Sequence, residues 1–339
     1  MPLTGDQYSR VMRIINERQL TAEREAQKRR EEIFARLPEL KKLRNQVTDA
    51  GVTATRKYMA GDTDARAKFE KVRVTAAQME ETILSEAGLT RDDLEPHYTC
   101  PDCHDTGFAD DGQPCHCFTQ LSYDLIYSQD RLRYWMQENN FRNFNLSLYP
   151  DSGADPLTGQ NCRDVAVDAL GIAASFVRNL TGREVDGNAE VMAAIESDPQ
   201  PADENLIIIG TTGTGKTYLS HCIAKEVLDA GFTCIYLTAA EFVEVAEKAE
   251  FQHQPEEFKN CFDCNLLVID DLGTEMVNTF TSGAVYRIIN ERLLNRKHTV
   301  ISTNLRLEDI RDKYSDRIFS RICGGYSIIK LIGPDQRAR

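Results

Sequence analysis

The sequence predicts an α/β protein whose main domain is a five-stranded parallel sheet covered by helices and built around a phosphate-binding loop. Three observations predict it. An aliphatic run, Leu206 to Ile209, leads into G-x-x-x-x-G-K-T, Gly210 to Thr217. From there on, short apolar runs alternate with stretches of helical period. One of those runs, L-L-V-I-D-D, closes on two adjacent acids, Asp270 and Asp271. Parallel strands need long crossover connections, so strand–helix alternation implies a parallel sheet with helices on both faces.

The bulk numbers bound the rest. A chain of 339 residues, 41% hydrophobic and 27% charged, can form one large domain and a smaller one. With no long apolar run and no N-terminal signal pattern, a cytoplasmic protein without a membrane partner is expected. The net charge of −13 is unevenly spread: residues 1–95 hold 18 Lys and Arg against 17 Asp and Glu, so the acidic excess lies beyond them. That argues against a broad basic surface for duplex DNA and leaves room for a narrow basic groove inside an oligomer. Ten cysteines in such a chain suggest thiols or metal rather than a disulfide framework.

Three regions follow in order: 1–95, 96–140 and 141–339. The first is charged and helical. Val11, Ile14 and Ile15, then Ile33, Phe34, Leu37, Leu40, Leu43 and Val47, form loose apolar stripes. Pro38, Gly51 and Gly61-Asp62 are expected to break it into two or three helices. It reads either as a solvated hairpin or as an arm that binds a partner protein through its stripes.

The second region begins with C-P-D-C-H-D-T-G-F-A-D-D-G-Q-P-C-H-C. Cys100 and Cys103 form a knuckle that can wrap two thiolates round one ion, and Cys115 and Cys117 supply a second pair. Gly107 and Gly112 permit the turns between. The expected ion is Zn²⁺ on Cys100, Cys103, Cys115 and Cys117, with His104 and His116 as alternative ligands. Four protein ligands leave no open position, so such a site is structural. Residues 118–140 read as a helix.

In the third region, Phe141, Phe144 and Tyr149 read either as core or as neighbours of an adenine ring. A helix is expected over about 163–180, and a polar surface segment that can be read as an insertion over 182–204. The strands are placed at 205–209, 233–237, 266–270, 299–302 and 326–331.

The chemistry follows from the motifs. The glycines of Gly210-Thr211-Thr212-Gly213-Thr214-Gly215 let backbone N–H groups turn toward a phosphate, and the helix start adds partial positive charge. Lys216 reaches the β- and γ-phosphates of ATP, and the Thr217 hydroxyl ligates Mg²⁺. Asp270 can hold the Mg²⁺ shell and Asp271 can orient and deprotonate water. Asp271 stands where Glu is commoner, so a shorter reach and slow turnover are expected. A strand at 233–237, between the loop and Asp270 in sequence, suggests the ATPase branch of the fold. The run I-S-T-N offers Ser302, Thr303 and Asn304 to position water. In Y-S-D-R-I-F-S-R-I, Arg317 and Arg321 share a helix face; either reads as a surface ion-pair partner or as an arginine reaching a neighbouring subunit's γ-phosphate. The pair Cys261 and Cys264 reads as structural thiols rather than a second metal site.

Taken together, T-G-T-G-K-T, V-I-D-D-L-G-T-E, S-T-N and S-D-R-I-F-S-R-I resemble the DnaC/DnaI-type bacterial helicase loaders, a branch of the AAA+ ATPases. The C-P-D-C-x-D-T-G-F…C-H-C-F segment is similar to zinc-bearing loaders of Gram-positive bacteria. The likeness covers about 98–335; residues 1–95 match only in being charged and helical. It implies an AAA+ P-loop NTPase domain preceded by a small zinc-binding domain and a helical region. It implies Asn304 as sensor and Arg321 as arginine finger. It also implies binding to the hexameric replicative DNA helicase through the N-terminal region, to single-stranded DNA through the ATPase domain, and to further copies of itself in the ATP state. The end at Arg339 leaves little room for a helical lid and leaves a second sensor arginine unassigned. Two other readings stay open: an IstB-type transposition helper with nearly the same ATPase core, and a zinc-dependent adaptor whose nucleotide site is a switch without useful catalysis. The loop Thr274–Thr281 is a candidate DNA contact.

Overall fold

The structure is a computed structural model that describes residues 5–126, 130–152, 158–197, 200–252 and 255–338. Its contacts divide the chain into two compact units: residues 12–115, and the start of the chain through Val11 together with 116–339.

The first unit is helical. Helix α1 (Gly5–Arg36) stops one residue before Pro38, which opens α2 (Pro38–Met59) at a first-turn position where a missing N–H costs nothing. Gly61, at φ 99°, makes the turn into α3 (Ala65–Glu86). Gly51 does not break the chain as expected. It lies inside α2, where a Cβ would sit 3.1 Å from the Phe69 ring of α3. Its smallness lets the two arms of the hairpin approach, a packing demand that outweighs the weak helix propensity of glycine. Ile33, Leu40, Leu84 and Leu94 form the small buried core at the base of the hairpin. Two arginines of α1 fasten the exit segment: Arg29 donates to the Glu95 carbonyl at 2.7 Å and Arg30 to the Leu94 carbonyl at 2.6 Å.

The second unit is the α/β domain. It opens with α4 (His116–Ile126) and α5 (Asp130–Glu138), which fall on the stretch expected to be helical over 118–140; residues 127–129 lie outside the described ones. Next comes α6 (Cys162–Thr181), capped by the Asn161 side chain and closed by Gly182 in the left-handed region. The stretch 182–204 is not merely polar surface. It contains α7 (Ala189–Ser197), whose Val191 and Ala194 are buried in the same core as α6.

Then strands and helices alternate: β1 (Asn205–Gly210), α8 (Lys216–Asp229), β2 (Cys234–Thr238), α9 (Ala239–Phe251), α10 (Pro255–Asp263), β3 (Leu266–Leu272), α11 (Thr279–Leu294), β4 (His298–Thr303), α12 (Leu307–Lys313), α13 (Asp316–Gly325) and β5 (Ser327–Leu331). All five strands pair in parallel in the order β2-β3-β4-β1-β5, with Ile207 opposite both Ile301 and Ile328. The expected strands agree within one or two residues. They were legible because both sheet faces are covered, which demands continuous apolar runs. Alternate residues go to opposite layers. Leu206 and Ile208 pack with α6, α7 and α8, while Ile207 packs with α9, α10 and α11. The order puts β4 between the phosphate-loop strand β1 and the acidic strand β3, so the ends of three adjacent strands converge on the start of α8.

Candidate nucleotide site and cysteine cluster

The phosphate loop runs from the end of β1 into the start of α8. Gly213 and Gly215 take φ values of 80° and 95°, a region open to glycine at little cost. At Gly210 a Cβ would overlap the Leu331 carbonyl of β5. Within the loop, the Thr214 hydroxyl donates to the Thr211 carbonyl at 2.9 Å, and so does Lys216 Nζ at 3.0 Å. Lys216 is 5% exposed, and burial holds its ammonium below the ordinary lysine value, partly opposed by Asp271 and Asp270. A buried cation at a helix N-terminus, among free backbone N–H groups, fits a polyphosphate.

The two acids stand across from it. Asp270, buried at the end of β3, accepts from the Thr217 hydroxyl at 3.0 Å and from the Ser302 hydroxyl. Thr217 and Asp270 thus present the oxygen ligands that a magnesium ion takes. Asp271 follows in a left-handed backbone, φ 56°, where the β3–β4 register slips. Its N–H donates to Ser302 Oγ at 2.9 Å. Burial raises its carboxyl pKa, with the Asp270 charge adding to the shift. Of the three residues expected to position water, Ser302 and Thr303 are buried and spent on the strand ends; Thr303 donates to the Leu272 carbonyl at 2.6 Å. Asn304 is exposed at the end of β4.

Arg317 and Arg321 lie exposed on α13, and among the described residues neither is hydrogen-bonded or ion-paired. The structure does not bring them to the phosphate loop of their own chain. The arginine whose charge acts on both Lys216 and Asp271 is Arg337.

Two supports of the loop were missed in the sequence. Tyr149, before the domain's first strand, donates its hydroxyl to the Thr214 carbonyl at 2.9 Å, and a Cβ on Gly215 would lie 2.5 Å from that oxygen. The Tyr149 ring stacks on Phe144, with Tyr218 edge-on to Phe144, and burial pushes the Tyr149 hydroxyl up to about 12. Phe141 and Phe144 are buried core residues. From the other end, the Gln336 N–H donates to the Gly213 carbonyl at 3.0 Å, and the Asp335 carboxylate fills the space a Gly213 side chain would need. The Gly333-Pro334-Asp335 turn was the only local signal for this return of the chain.

The cysteine expectation falls on one compact group. The sulfurs of Cys100, Cys103, Cys115 and Cys117 lie within 4.8 Å of one another, and those of Cys100 and Cys115 are 3.8 Å apart. Thiolates about 2.3 Å from a tetrahedral zinc are about 3.8 Å apart, so the donors fit that ion. The loop is preformed by Asp105, 2% exposed, whose carboxylate accepts from the N–H groups of Thr99 and Cys100 at 2.8 and 2.9 Å. His116 belongs to a sparser group with Cys100 and Asp102, and His104 to no such group among the described residues. Cys261 and Cys264 are buried core thiols beside Arg292, which is fully buried and caps the end of α10 through the Cys261 and Cys264 carbonyls at 2.6 and 3.1 Å.

Residues 189–322 match the family model of the IstB-like ATP binding proteins. The replicative helicase loader DnaC of Escherichia coli (strain K12) is 24% identical over 159 residues, 45% of this chain and 64% of that protein. The DnaC of Shigella flexneri gives the same figures, so this chain spans 64% of the length of these curated relatives. Among solved structures, the DnaC helicase loader aligns at 20% identity over 45% of this chain and 95% of its own, with a TM-score of 0.36. Domain III of the Thermotoga maritima replication initiation protein DnaA aligns at 21% identity over 59% and 69%, with a TM-score of 0.42.

Proposed function

We propose that this chain is an AAA+ ATPase that loads a hexameric replicative DNA helicase onto single-stranded DNA in the cytoplasm, with ATP binding and hydrolysis as its assembly and release switch. The observation that carries the ATPase reading is the pairing of Thr217 with Asp270 beside the buried Lys216. No described helix is long and apolar enough to cross a membrane.

In this reading ATP sits on the loop Gly210–Thr217, with Lys216 neutralising its terminal phosphates. Thr217 and Asp270 would hold Mg²⁺, which when bound neutralises charge that develops on the transferred phosphoryl group. Asp271 orients the attacking water and accepts its proton; its raised pKa makes it a better base than an exposed aspartate. Asn304, exposed beside the acids, helps place that water. Arg321, exposed on α13, reaches the γ-phosphate of a neighbouring copy, and Arg317 supports it. An arginine in trans raises such rates by roughly 10³–10⁵. Zn²⁺ on the four cysteines folds the 96–118 segment, and the helical region 1–95 holds the helicase. The loader assignment draws on the DnaC likeness and on the IstB-like match, which equally admits a transposition helper.

Two experiments test this. Lys216→Ala is expected to lose ATP binding, while Arg321→Ala keeps binding and loses turnover that depends on assembly; normal turnover of Arg321→Ala under assembling conditions removes the trans role. A pull-down with the tagged full-length chain is expected to recover a hexameric helicase. Recovery of a transposase instead selects the transposition reading, and no multiple turnover with helicase and single-stranded DNA present selects the adaptor.

A further inference from the structure

The turn that follows the catalytic acids is held from outside the strand. Gly273 continues from Asp271 with φ 104°, so two left-handed residues lie within three positions. A non-glycine residue in that region is strained and persists only where its surroundings fix it. Several groups fix it here. The amide and hydroxyl of Thr274 both donate to the Asp271 carbonyl, at 3.2 and 2.9 Å. Glu275, 9% exposed, folds back so that one carboxylate oxygen accepts from the Gly273 N–H at 2.8 Å. Its other oxygen accepts from the Tyr314 hydroxyl. The neighbouring Lys313 Nζ donates to the Gly273 carbonyl. Leu305 closes the turn from above, 2.6 Å from where a Gly273 Cβ would stand.

Tyr314 is itself buried, at the C-terminal end of α12, two residues before α13 begins. Burial and the Glu275 charge push its hydroxyl well above the ordinary tyrosine value, so it remains a donor. The segment after β4 therefore carries in sequence the exposed Asn304, the Lys313–Tyr314 clamp and the outward Arg317 and Arg321. The Tyr314 ring belongs to the buried core layer that includes Ile310 and Ile318, but the clamp's hydrogen bonds do not end there. Its acceptors are the backbone of Gly273 and the side chain of Glu275, next to Asp271.

We propose that Tyr314 is a positioning residue for Asp271: through the Glu275 carboxylate, with Lys313 beside it, it fixes the turn that aims Asp271 and ties that acid to the helix bearing Arg317 and Arg321. The inference rests on the ATPase reading above and deepens it, because it names how engagement of α13 by a neighbour is felt at the acid of the same chain. Tyr314 touches no reacting atom.

The test uses the full-length protein with Tyr314→Phe, and with Lys313→Met as an exposed-site variant that leaves the buried Glu275 intact. Hydrogen–deuterium exchange over residues 271–276 is expected to speed up by about tenfold in both, with the phosphate-loop peptide 210–217 unchanged. The kcat for ATP is expected to fall by roughly tenfold while ATP Kd stays within about twofold, the pattern of a lost transition-state contact. A merely structural role would instead lower binding and turnover together and loosen the whole domain. Turnover of Tyr314→Phe within about twofold of wild type, or unchanged exchange over 271–276, overturns the proposal. Failure of the underlying ATPase reading looks different: the wild type itself then shows no turnover.

Discussion

The Ser302 hydroxyl donates to the Asp270 carboxylate while accepting the N–H of the next residue, Asp271, so one side chain of β4 governs both acids at the end of β3. It is a tie rather than a water-binding group. It also explains why the register slip after Ile269 leaves no bare backbone group at Asp271.

Ser302→Ala removes one donor from a buried carboxylate and leaves one N–H without its partner. A loss of about 1–3 kcal/mol in stability is expected, read from urea unfolding. Turnover should fall by roughly tenfold with ATP affinity little changed, since the contacts to Lys216 remain. An unchanged kcat would show that Asp270 and Asp271 need no tie.

Tyr149→Phe leaves the Thr214 carbonyl without its donor while keeping the ring stacked on Phe144. Flexibility of the 213–215 backbone then opposes phosphate binding. ATP Kd should rise by about five- to tenfold, equivalent to about 1 kcal/mol, in a fluorescent-nucleotide titration. Equal affinity would mean that the loop is rigid without this hydroxyl.

His221 offers a pH test. It is buried in α8, its Nδ1 lies 2.9 Å from Asn139 Nδ2, and its ring is 5.0 Å from the Tyr236 ring. Burial depresses its pKa from 6.5 to about 4. Folding therefore favours the neutral ring, and the unfolded chain takes up the proton first. This contribution is complete above about pH 6.5 and is lost as pH falls toward 4, amounting to about 3 kcal/mol at the acid end. His221→Gln should flatten the stability profile between pH 6.5 and 4; an equally steep profile in the variant would assign the slope to other groups.

Chelation addresses the cysteine cluster. If Cys100, Cys103, Cys115 and Cys117 share one zinc, strong chelator should release about one equivalent and unfold the 96–118 segment. Exchange should rise there by orders of magnitude, while the sheet, with its independent core, stays protected. Protein that carries no zinc yet keeps this segment ordered would contradict the assignment.

What could be read in the sequence was what leaves a periodic or spaced mark. Leu206–Ile209 and Leu266–Ile269 are unbroken aliphatic runs because both faces of their strands are covered. The glycines and Lys216 of the phosphate loop are fixed by spacing, and so are Cys100 and Cys103. What could not be read depends on partners distant along the chain. Gly51 looks like a breaker until Phe69 is seen against it. Tyr149 looks like any core aromatic until its hydroxyl meets a carbonyl 65 positions away. Glu275 closes one motif and Tyr314 opens another, 39 positions apart, and nothing in either spacing pairs them. Contacts of this kind, between residues distant along the chain, impose no period, and so leave nothing for a sequence pattern to record.

The phosphate loop is moored from both directions, by Tyr149 ahead of the sheet and by Gln336 beyond it. A recombinant fragment trimmed to the visible strands, Asn205 to Leu331, would retain all five of them and sever both moorings. The smallest piece able to grip a nucleotide is accordingly larger than the sheet suggests, and its limits are set by a phenol and a main-chain amide rather than by secondary structure.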